Sequence, residues 1–523
     1  MARSIPALAL AFVGLFTELF GSRASAQESP DAPSGVDAVL AAIDSAFGEY
    51  LVGPLASVFF FDLWFWDDGT EGETKLPMIV AWLVAGAVYF TLRYKFPNVR
   101  AFGHAFLVTR GDFDDPDDPG EVSHFQALAS ALSATVGLGN IAGVAVAVGA
   151  GGPGAVFWMV VAAFFGMCSK FSECTLGQAY REVDAKGNVS GGPMRYLHKG
   201  LEEMGYATFG RVLAIGFAVM CIGGSLGGGN MFQANQSYAQ VSRVLPLFEG
   251  GGGALAYGIV LALLVAVVII GGIKRIGVVA GYVVPAMCLV YIIAGFIVIF
   301  ANISMVGDAL GKIVMEAFDP RAVGGGFIGV LMIGFQRAAF SNEAGVGSAS
   351  IAHSAAATDE PVREGIVALL EPFIDTILVC TMTGIVVVIT GAYTTEGVEG
   401  VEMTSAAFDT VIPGFKYVLS FAVFLFAFST MISWSYYGER CWTYLFGTGS
   451  SMAYKIMFLV FVVLGSVLNL GSVITFSDLM VLGMAFPNIL GMYFLSGKVK
   501  SMFDDYWKRL QTGEMKPTRP AKF

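Results

Sequence analysis

Two apolar stretches of this 523-residue chain are interrupted at their centres by glycine and small polar residues. In the stretch 127–148 the interruption reads Ser133-Ala134-Thr135-Val136-Gly137-Leu138-Gly139-Asn140. In the stretch 325–352 it reads Phe340-Ser341-Asn342-Glu343-Ala344-Gly345-Val346-Gly347-Ser348. A helix that unwinds inside a bilayer leaves N–H and C=O groups that need other partners, so such a break persists only where it lines a cavity or binds something. Amides freed at the positive end of a helix dipole suit a carboxylate, and freed carbonyls suit Na+. Gly137 and Gly139 let the backbone come close to a ligand. Ser133, Thr135, Asn140, Ser341, Asn342 and Ser348 add neutral oxygens, which suit a monovalent hard cation, whereas Ca2+ or Mg2+ calls for clustered carboxylates. One glycine cluster would also fit plain close packing of helices. Two, at corresponding places in two halves of a chain, point to the binding site of a secondary transporter.

The elements that must position these residues are membrane helices. Hydrophobic residues make up 55% of the chain and charged residues 14%, with a mean hydropathy of +0.69, a composition that excludes a soluble domain of this length. The net charge of −11 leaves no basic surface for nucleic acid. Apolar runs long enough to span a bilayer lie near 77–94, 124–148, 153–182, 208–230, 254–272, 277–302, 325–352, 364–391, 415–438, 454–471 and 476–497, which makes eleven. Residues 40–66, with Pro54, Asp62 and many aromatics, read as an interfacial helix. Six cysteines fall in or beside apolar runs without CxxC or Cys/His spacing, and read as small core residues.

Lys and Arg concentrate in one set of alternate loops, from Arg93, Lys95, Arg100 and Arg110 to Lys498, Lys500, Lys508 and Arg509 after the last run. The opposite set holds only Lys75, Arg243, Lys312, Arg321 and Lys416, with Glu396, Glu399 and Glu402 among them. The positive-inside rule then puts the N-terminus outside and the C-terminus in the cytoplasm of a plasma (inner) membrane. Residues 1–26 read as a signal peptide, with Arg3, a short apolar run and Ala24-Ser25-Ala26 as cleavage site. The expected organisation continues with an extracytoplasmic or interfacial segment at 27–76 and an extra transmembrane helix with its cytoplasmic loop at 77–123. Five-helix repeats of opposite polarity follow at 124–302 and 325–497, then a cytoplasmic tail at 498–523. The fold class is therefore all-α membrane, one helix plus an inverted five-plus-five repeat with two discontinuous helices.

The stretch 127–147 around Val136-Gly137-Leu138-Gly139-Asn140 resembles the signature of the alanine/glycine:cation symporter family. So do Gly151-Gly152-Pro153-Gly154-Ala155-Val156-Phe157-Trp158-Met159, the run from Arg337 to Ser348, and Ser435-Tyr436-Tyr437-Gly438-Glu439-Arg440. The likeness covers roughly 77–497. It implies a leucine-transporter-like fold and, as function, import of a small neutral amino acid, alanine or glycine, with Na+ as coupling ion and no other cofactor. H+ coupling, or another small zwitterion, is the alternative. The resemblance implies that Thr135, Gly137, Leu138 and Gly139 meet the substrate, with Gln233, Phe340, Asn342 and Gly345 as further pocket residues. It implies one Na+ at Asn140 and Ser341, and a second at the Ser133 and Val136 carbonyls with the Ser429 and Thr430 hydroxyls. The partners implied are the amino acid, Na+ and the lipid bilayer, and the working unit a monomer.

Other polar residues at membrane depth have both structural and functional readings. Lys170 and Glu173, at i,i+3, read as a mutually neutralising pair. Arg337 and Glu343 flank the second break and could pair with each other, or Glu343 could hold the break or meet an ammonium. Glu371 and Asp375 share a face of the eighth run. Gln233 reads as a pocket residue or a loop cap, and Phe340 with Trp158 as walls of a small pocket. Gly223-Gly224-Ser225-Leu226-Gly227 fits GxSxG, yet His104, His124, His198 and His353 all fall at span ends or in loops, which disfavours a membrane protease. A channel would want a continuous pore, often ringed by an oligomer, rather than one inverted repeat. The chain reads as a carrier, not an enzyme.

Overall fold

The computed structural model describes residues 77–115, 117–184, 189–248, 250–319 and 326–518, with a few positions between 53 and 63. The expected signal peptide and nearly all of the interfacial segment lie outside the described residues. Helices dominate. The named strands among the described residues are Glu182–Val183 and Val189–Ser190, a two-residue antiparallel pair.

The helices that matter for the site are α1 (Met78–Arg93), α2 (His124–Thr135), α3 (Val144–Gly151), α4 (Gly154–Ala179), α5 (Ala207–Leu226), α6 (Phe232–Ser242), α7 (Gly250–Ile269) and α8 (Gly272–Ala301). They continue with α9 (Gly326–Asn342), α10 (Ala349–His353), α11 (Pro361–Ala368), α12 (Thr381–Thr390), α13 (Val401–Asp409), α14 (Phe415–Phe446), α15 (Ser451–Val467), α16 (Leu470–Gly483) and α17 (Ala485–Thr512). Among the described residues eight helices are long and apolar enough to cross a membrane, or nine if the bent pair α2 and α3 counts as one span. The other two of the eleven sequence runs appear as α1, of 16 residues, and as α9 followed by the short α10.

Both interruptions are breaks. The axes on either side of the first diverge by 52°. Helix α2 starts on a capping box, in which the Ser123 hydroxyl accepts the Gln126 amide and the Gln126 side chain accepts the Ser123 amide. It lies between α8 and α14, while α4 packs on α9, α10 and α11. One sequence expectation needs correcting here. The run 208–230 does not end before Gln233, because α5 passes through a π turn, Gly227–Met231, straight into α6. Gln233 is therefore a mid-span residue, with its side chain directed into the protein, and not a loop cap.

The expected Lys170–Glu173 pair is formed, and a carboxylate from a different helix joins it. Lys170 Nζ lies 3.2 Å from Glu371 and 3.8 Å from Glu173, all three side chains being fully buried. The stronger partner comes from another helix because an i,i+3 pair reaches only a slanted contact, while Glu371 faces the ammonium across the interface of α4. Removing one member of a buried pair leaves an uncompensated charge, which costs about 3–5 kcal/mol. Lys170→Met is therefore expected to lower the unfolding midpoint of the detergent-solubilised protein sharply. Lys170→Met/Glu371→Gln should recover part of that loss; a single variant as stable as the parent would contradict the pairing.

Candidate substrate and ion site

At the first break the Gly137 amide donates to Asn140 Oδ1 at 2.8 Å and the Leu138 amide to Gln233 Oε1 at 3.2 Å. In a continuous helix these two amides would bond the carbonyls of Ser133 and Ala134. Side chains have taken the donors, so those carbonyls are released from the ladder at the centre of the protein. On the far side the amides of Ile141, Ala142 and Gly143 all converge on the Leu138 carbonyl, and the Thr404 hydroxyl of α13 donates to the Ile141 carbonyl at 2.9 Å. Gly137 is required here by space: a Cβ would collide with the Thr430 hydroxyl oxygen. That hydroxyl is buried and has no hydrogen-bond partner.

The second break runs from Asn342 to Ser348. Glu343 sits in the left-handed region at φ 55°, a conformation that costs a residue with a side chain of order 1 kcal/mol or more. Its carboxylate is anchored on both oxygens, by the Trp434 indole N–H at 3.0 Å and by the Ser348 hydroxyl. The Asn488 amide donates to the Gly345 carbonyl at 2.9 Å, satisfying part of the unwound backbone. Arg337 pairs with Asp478 of α16, so the expected alternative of an Arg337–Glu343 pair is not formed.

Between the breaks lies a small buried pocket whose walls include Thr135, Gly139, Gln233, Phe340, Glu343 and Trp434. Five of the residues singled out from the sequence, Thr135, Gly139, Gln233, Phe340 and Glu343, thus share one cavity. Gly137 and Leu138 adjoin it through the amides described above. Asn342 and Gly345 do not line it. Asn342 is turned to the Thr376 hydroxyl at 2.9 Å and faces a separate apolar cavity between α1, α4 and α9, and Gly345 lies against Leu83 and Ile489. Trp158 is also elsewhere, its indole N–H on the Ala317 carbonyl at 2.9 Å and its ring against Phe318. The tryptophan on the pocket is Trp434. Its spacing from Thr430, one helical turn on α14, was the available signal.

The ion-side residues also come together. Ser133 donates to the Ser429 carbonyl at 2.8 Å, while Thr430 reaches Gly137. The Ser429 hydroxyl itself bonds back to the Phe426 carbonyl at 3.0 Å. Asn140 and Ser341 meet over a residue the sequence analysis had grouped with Glu371. Asp375 accepts from Asn140 Nδ2 at 2.6 Å on one oxygen, and from the hydroxyls of Ser341 at 2.9 Å and Thr376 at 2.6 Å on the other. The donor set is therefore not all neutral: a buried carboxylate stands at its centre. Glu371, one turn earlier, belongs to the Lys170 cluster, so the shared helix face serves two different sites.

Apolar spans broken at facing points around a buried polar pocket define a membrane-embedded carrier of a small polar solute. The chain belongs to the sodium:alanine symporter family, whose family model matches residues 68–520. It is 41% identical over 429 residues to the sodium/alanine symporter AgcS of Methanococcus maripaludis, covering 81% of this chain and 93% of that one. It is 34% identical over 442 residues to a probable sodium/glutamine symporter, GlnT, of Bacillus subtilis, covering 84% and 89%. The crystal structure of MhsT in complex with L-phenylalanine aligns with a TM-score of 0.45 at 16% identity, over 72% of this chain and 99% of that chain.

Gly137→Ala is expected to abolish substrate binding while the protein still inserts and purifies as a monodisperse species, because its methyl group must displace Thr430 at the break. Calorimetric titration with alanine checks this; binding of parental strength would show that the Gly137–Thr430 approach is not part of the site.

Proposed function

We propose that the protein imports L-alanine or glycine together with Na+ by alternating access, and that the two facing breaks with the pocket between them are the substrate site. The observation that carries the reading is the pairing of Gly137 and Leu138 amides to side chains, which releases helix carbonyls near the unpartnered Thr430 hydroxyl, while Asn140 also reaches the Asp375 carboxylate. An amino acid brings one positive and one negative group, and the site offers complementary chemistry for each. Glu343 stands on the pocket wall to face the ammonium, and the unwound backbone at Thr135, Gly137, Leu138 and Gly139 receives the carboxylate. Na+ is taken by Asn140, Ser341 and Asp375 at one position. At the other it is taken by the Ser133 and Val136 carbonyls with Thr430, Ser429 contributing through its position beside Ser133. Phe340, Trp434 and the branched Thr135 restrict the side chain to about a methyl group. One relative is named a probable sodium/glutamine symporter, and in this reading the same wall is where the two substrates would be told apart.

The same reading keeps eleven spans, one followed by inverted five-helix blocks at 124–302 and 325–497, with the N-terminus outside, a signal peptide at 1–26 and the C-terminus in the cytoplasm of the inner membrane. A monomer suffices, because the whole site comes from one chain. H+ coupling is the second reading, and Asp375 is the observation that favours it, since a proton can neutralise this carboxylate where Na+ otherwise would.

Uptake into proteoliposomes decides between them. Alanine accumulation should require Na+ and fall to background when choline replaces it under an imposed pH gradient. Undiminished uptake would assign the coupling to H+. Glycine and serine should compete and leucine should not, because shape excludes a branched chain although a single methylene is worth only ~1–3 kcal/mol. Equal competition by leucine would overturn the substrate class.

Thr430→Ala and Asp375→Asn test the ion positions. Loss of one oxygen ligand at ~1–2 kcal/mol corresponds to a roughly five- to thirtyfold weaker apparent Na+ affinity, with alanine affinity falling in step by linkage. A Thr430→Ala protein with parental Na+ dependence would leave Asn140, Ser341 and Asp375 as the defensible position, and parental dependence in both would remove the ion site from these helices.

A further inference from the structure

Below the first break a chain of buried ionisable groups takes no part in the pocket. His353, at the end of α10, has one ring nitrogen, Nδ1, on Glu364 and the other, Nε2, on Glu371 at 2.7 Å. The second oxygen of Glu364 meets Nδ1 of His124, the first residue of α2, whose Nε2 lies 3.6 Å from Asp114. The second oxygen of Glu371 lies 3.2 Å from Lys170, with Glu173 3.8 Å from the same ammonium. From His124 to Glu173 no side chain in the chain of contacts is more than 1% exposed.

The geometry favours protonated rings. A neutral imidazole has one N–H and one lone pair, so it can satisfy one carboxylate and must repel a second. His353 bonds a carboxylate through each nitrogen, which the doubly protonated ring accommodates when Glu364 and Glu371 are ionised, while His124 bonds Glu364 through Nδ1 and has Asp114 3.6 Å from its Nε2. Charge balance agrees. Even with Glu173 neutral, the Glu364 and Glu371 carboxylates outnumber the Lys170 ammonium in a low-dielectric interior, and an imidazolium between them offsets the excess. Other charged or titratable groups facing the chain are Asp114 beside His124, Arg363 near Asp118, the Cys174 thiol near His353 and Glu371, and Glu343 beyond Lys170. Arg181 is engaged with the carbonyls of Pro119, Ser354, Ala356 and Thr358. Cys174, His353 and Glu371 could approach a metal ion in position. Both nitrogens of His353 are already committed, and the Lys170 ammonium occupies the place of the cation.

We propose that these residues form a proton-binding site that latches α2 onto α11, and that loss of protons undocks α2. Helix α2 is joined to the rest through the 52° break, and His124 is its one ionisable side chain. Moving α2 away from α11 breaks His124–Glu364, exposes both to water and releases at least one proton. Protons favour the docked state, so the undocked state gains as pH rises, by about tenfold in its ratio to the docked state per pH unit for each proton released. The proposal rests on alternating access only in identifying the undocked state with the open carrier, and on the proposed orientation in placing the latch on the cytoplasmic face. The docking is read from the contacts themselves.

The test is a pulsed electron-resonance distance measurement on the full chain in lipid nanodiscs. Nitroxides are attached through a genetically encoded keto amino acid at 125 and 204, positions of exposed Phe125 and Met204, leaving native thiols untouched. At pH 5.5 one short distance is expected, and a longer one should grow toward pH 8.5. Glu364→Gln and His124→Gln, each checked for retained alanine binding, should show the longer distance already at pH 5.5 and lose the response. A distance unchanged between pH 5.5 and 8.5 in the parent would overturn the latch, as would an unaltered pH response in whichever variant still binds alanine. A pH-driven distance change without any change in transport would leave the latch standing and count against alternating access.

Discussion

Every other feature of the site follows from where the backbone hydrogen bonds go at the two breaks. An unwound helix in a membrane has no water to complete its donors and acceptors, and each orphan there costs several kcal/mol. This protein meets the constraint unevenly. It assigns side chains to the donors, with Asn140 and Gln233 taking the Gly137 and Leu138 amides, and leaves helix acceptors for a ligand. Asp375, reached by Asn140 and Ser341, adds a carboxylate on one side of the break, and Glu343 on the opposing break lines the pocket. The breaks are thus held open by partners, and their polarity is chosen by which half of each peptide group is left over.

The strain at Glu343 belongs to the same logic. A residue with a side chain is kept in the left-handed region because Trp434 and Ser348 grip its carboxylate. That grip also fixes the Trp434 ring against the pocket. Wall shape and break geometry are therefore one unit, and a substitution at either is felt at both. Farther down, the ion pairs around Lys170 and His353 tie α2, α4, α10 and α11 together with charge rather than apolar contact alone. Such pairs add little net stability over a packed apolar core but are costly to half-remove.

Much of this was legible in the chain. The breaks follow from glycine and polar residues set in apolar runs, because the membrane forbids such residues without a reason; the family, and with it the grouping of Thr135, Gly139, Gln233 and Phe340, came from the resemblance of the motifs around them. What escaped the sequence was the choice of partners across helices. Asp375 and Glu371 are one turn apart and look equivalent, yet neighbours on different helices divide them between an ion position and a charge cluster. Trp158 and Trp434 are equally aromatic, and only the helix packing puts one on the pocket and the other over Ala317 and Phe318. Asn342 lies two residues after Phe340 on the same helix and so faces away from the pocket, and Gly345 lies beyond the turn of the chain against Leu83 and Ile489. Periodicity identifies a face; it carries no information about what that face meets.

The central claim is that substrate and Na+ share one site organised by the breaks, so their binding must be reciprocal. The most direct measurement is the binding affinity of purified protein for alanine with Na+ and with K+, together with its affinity for Na+ with and without alanine. Alanine should bind at least tenfold more weakly in K+, and alanine should strengthen Na+ binding by the same factor. Equal alanine affinities in the two salts would contradict the account.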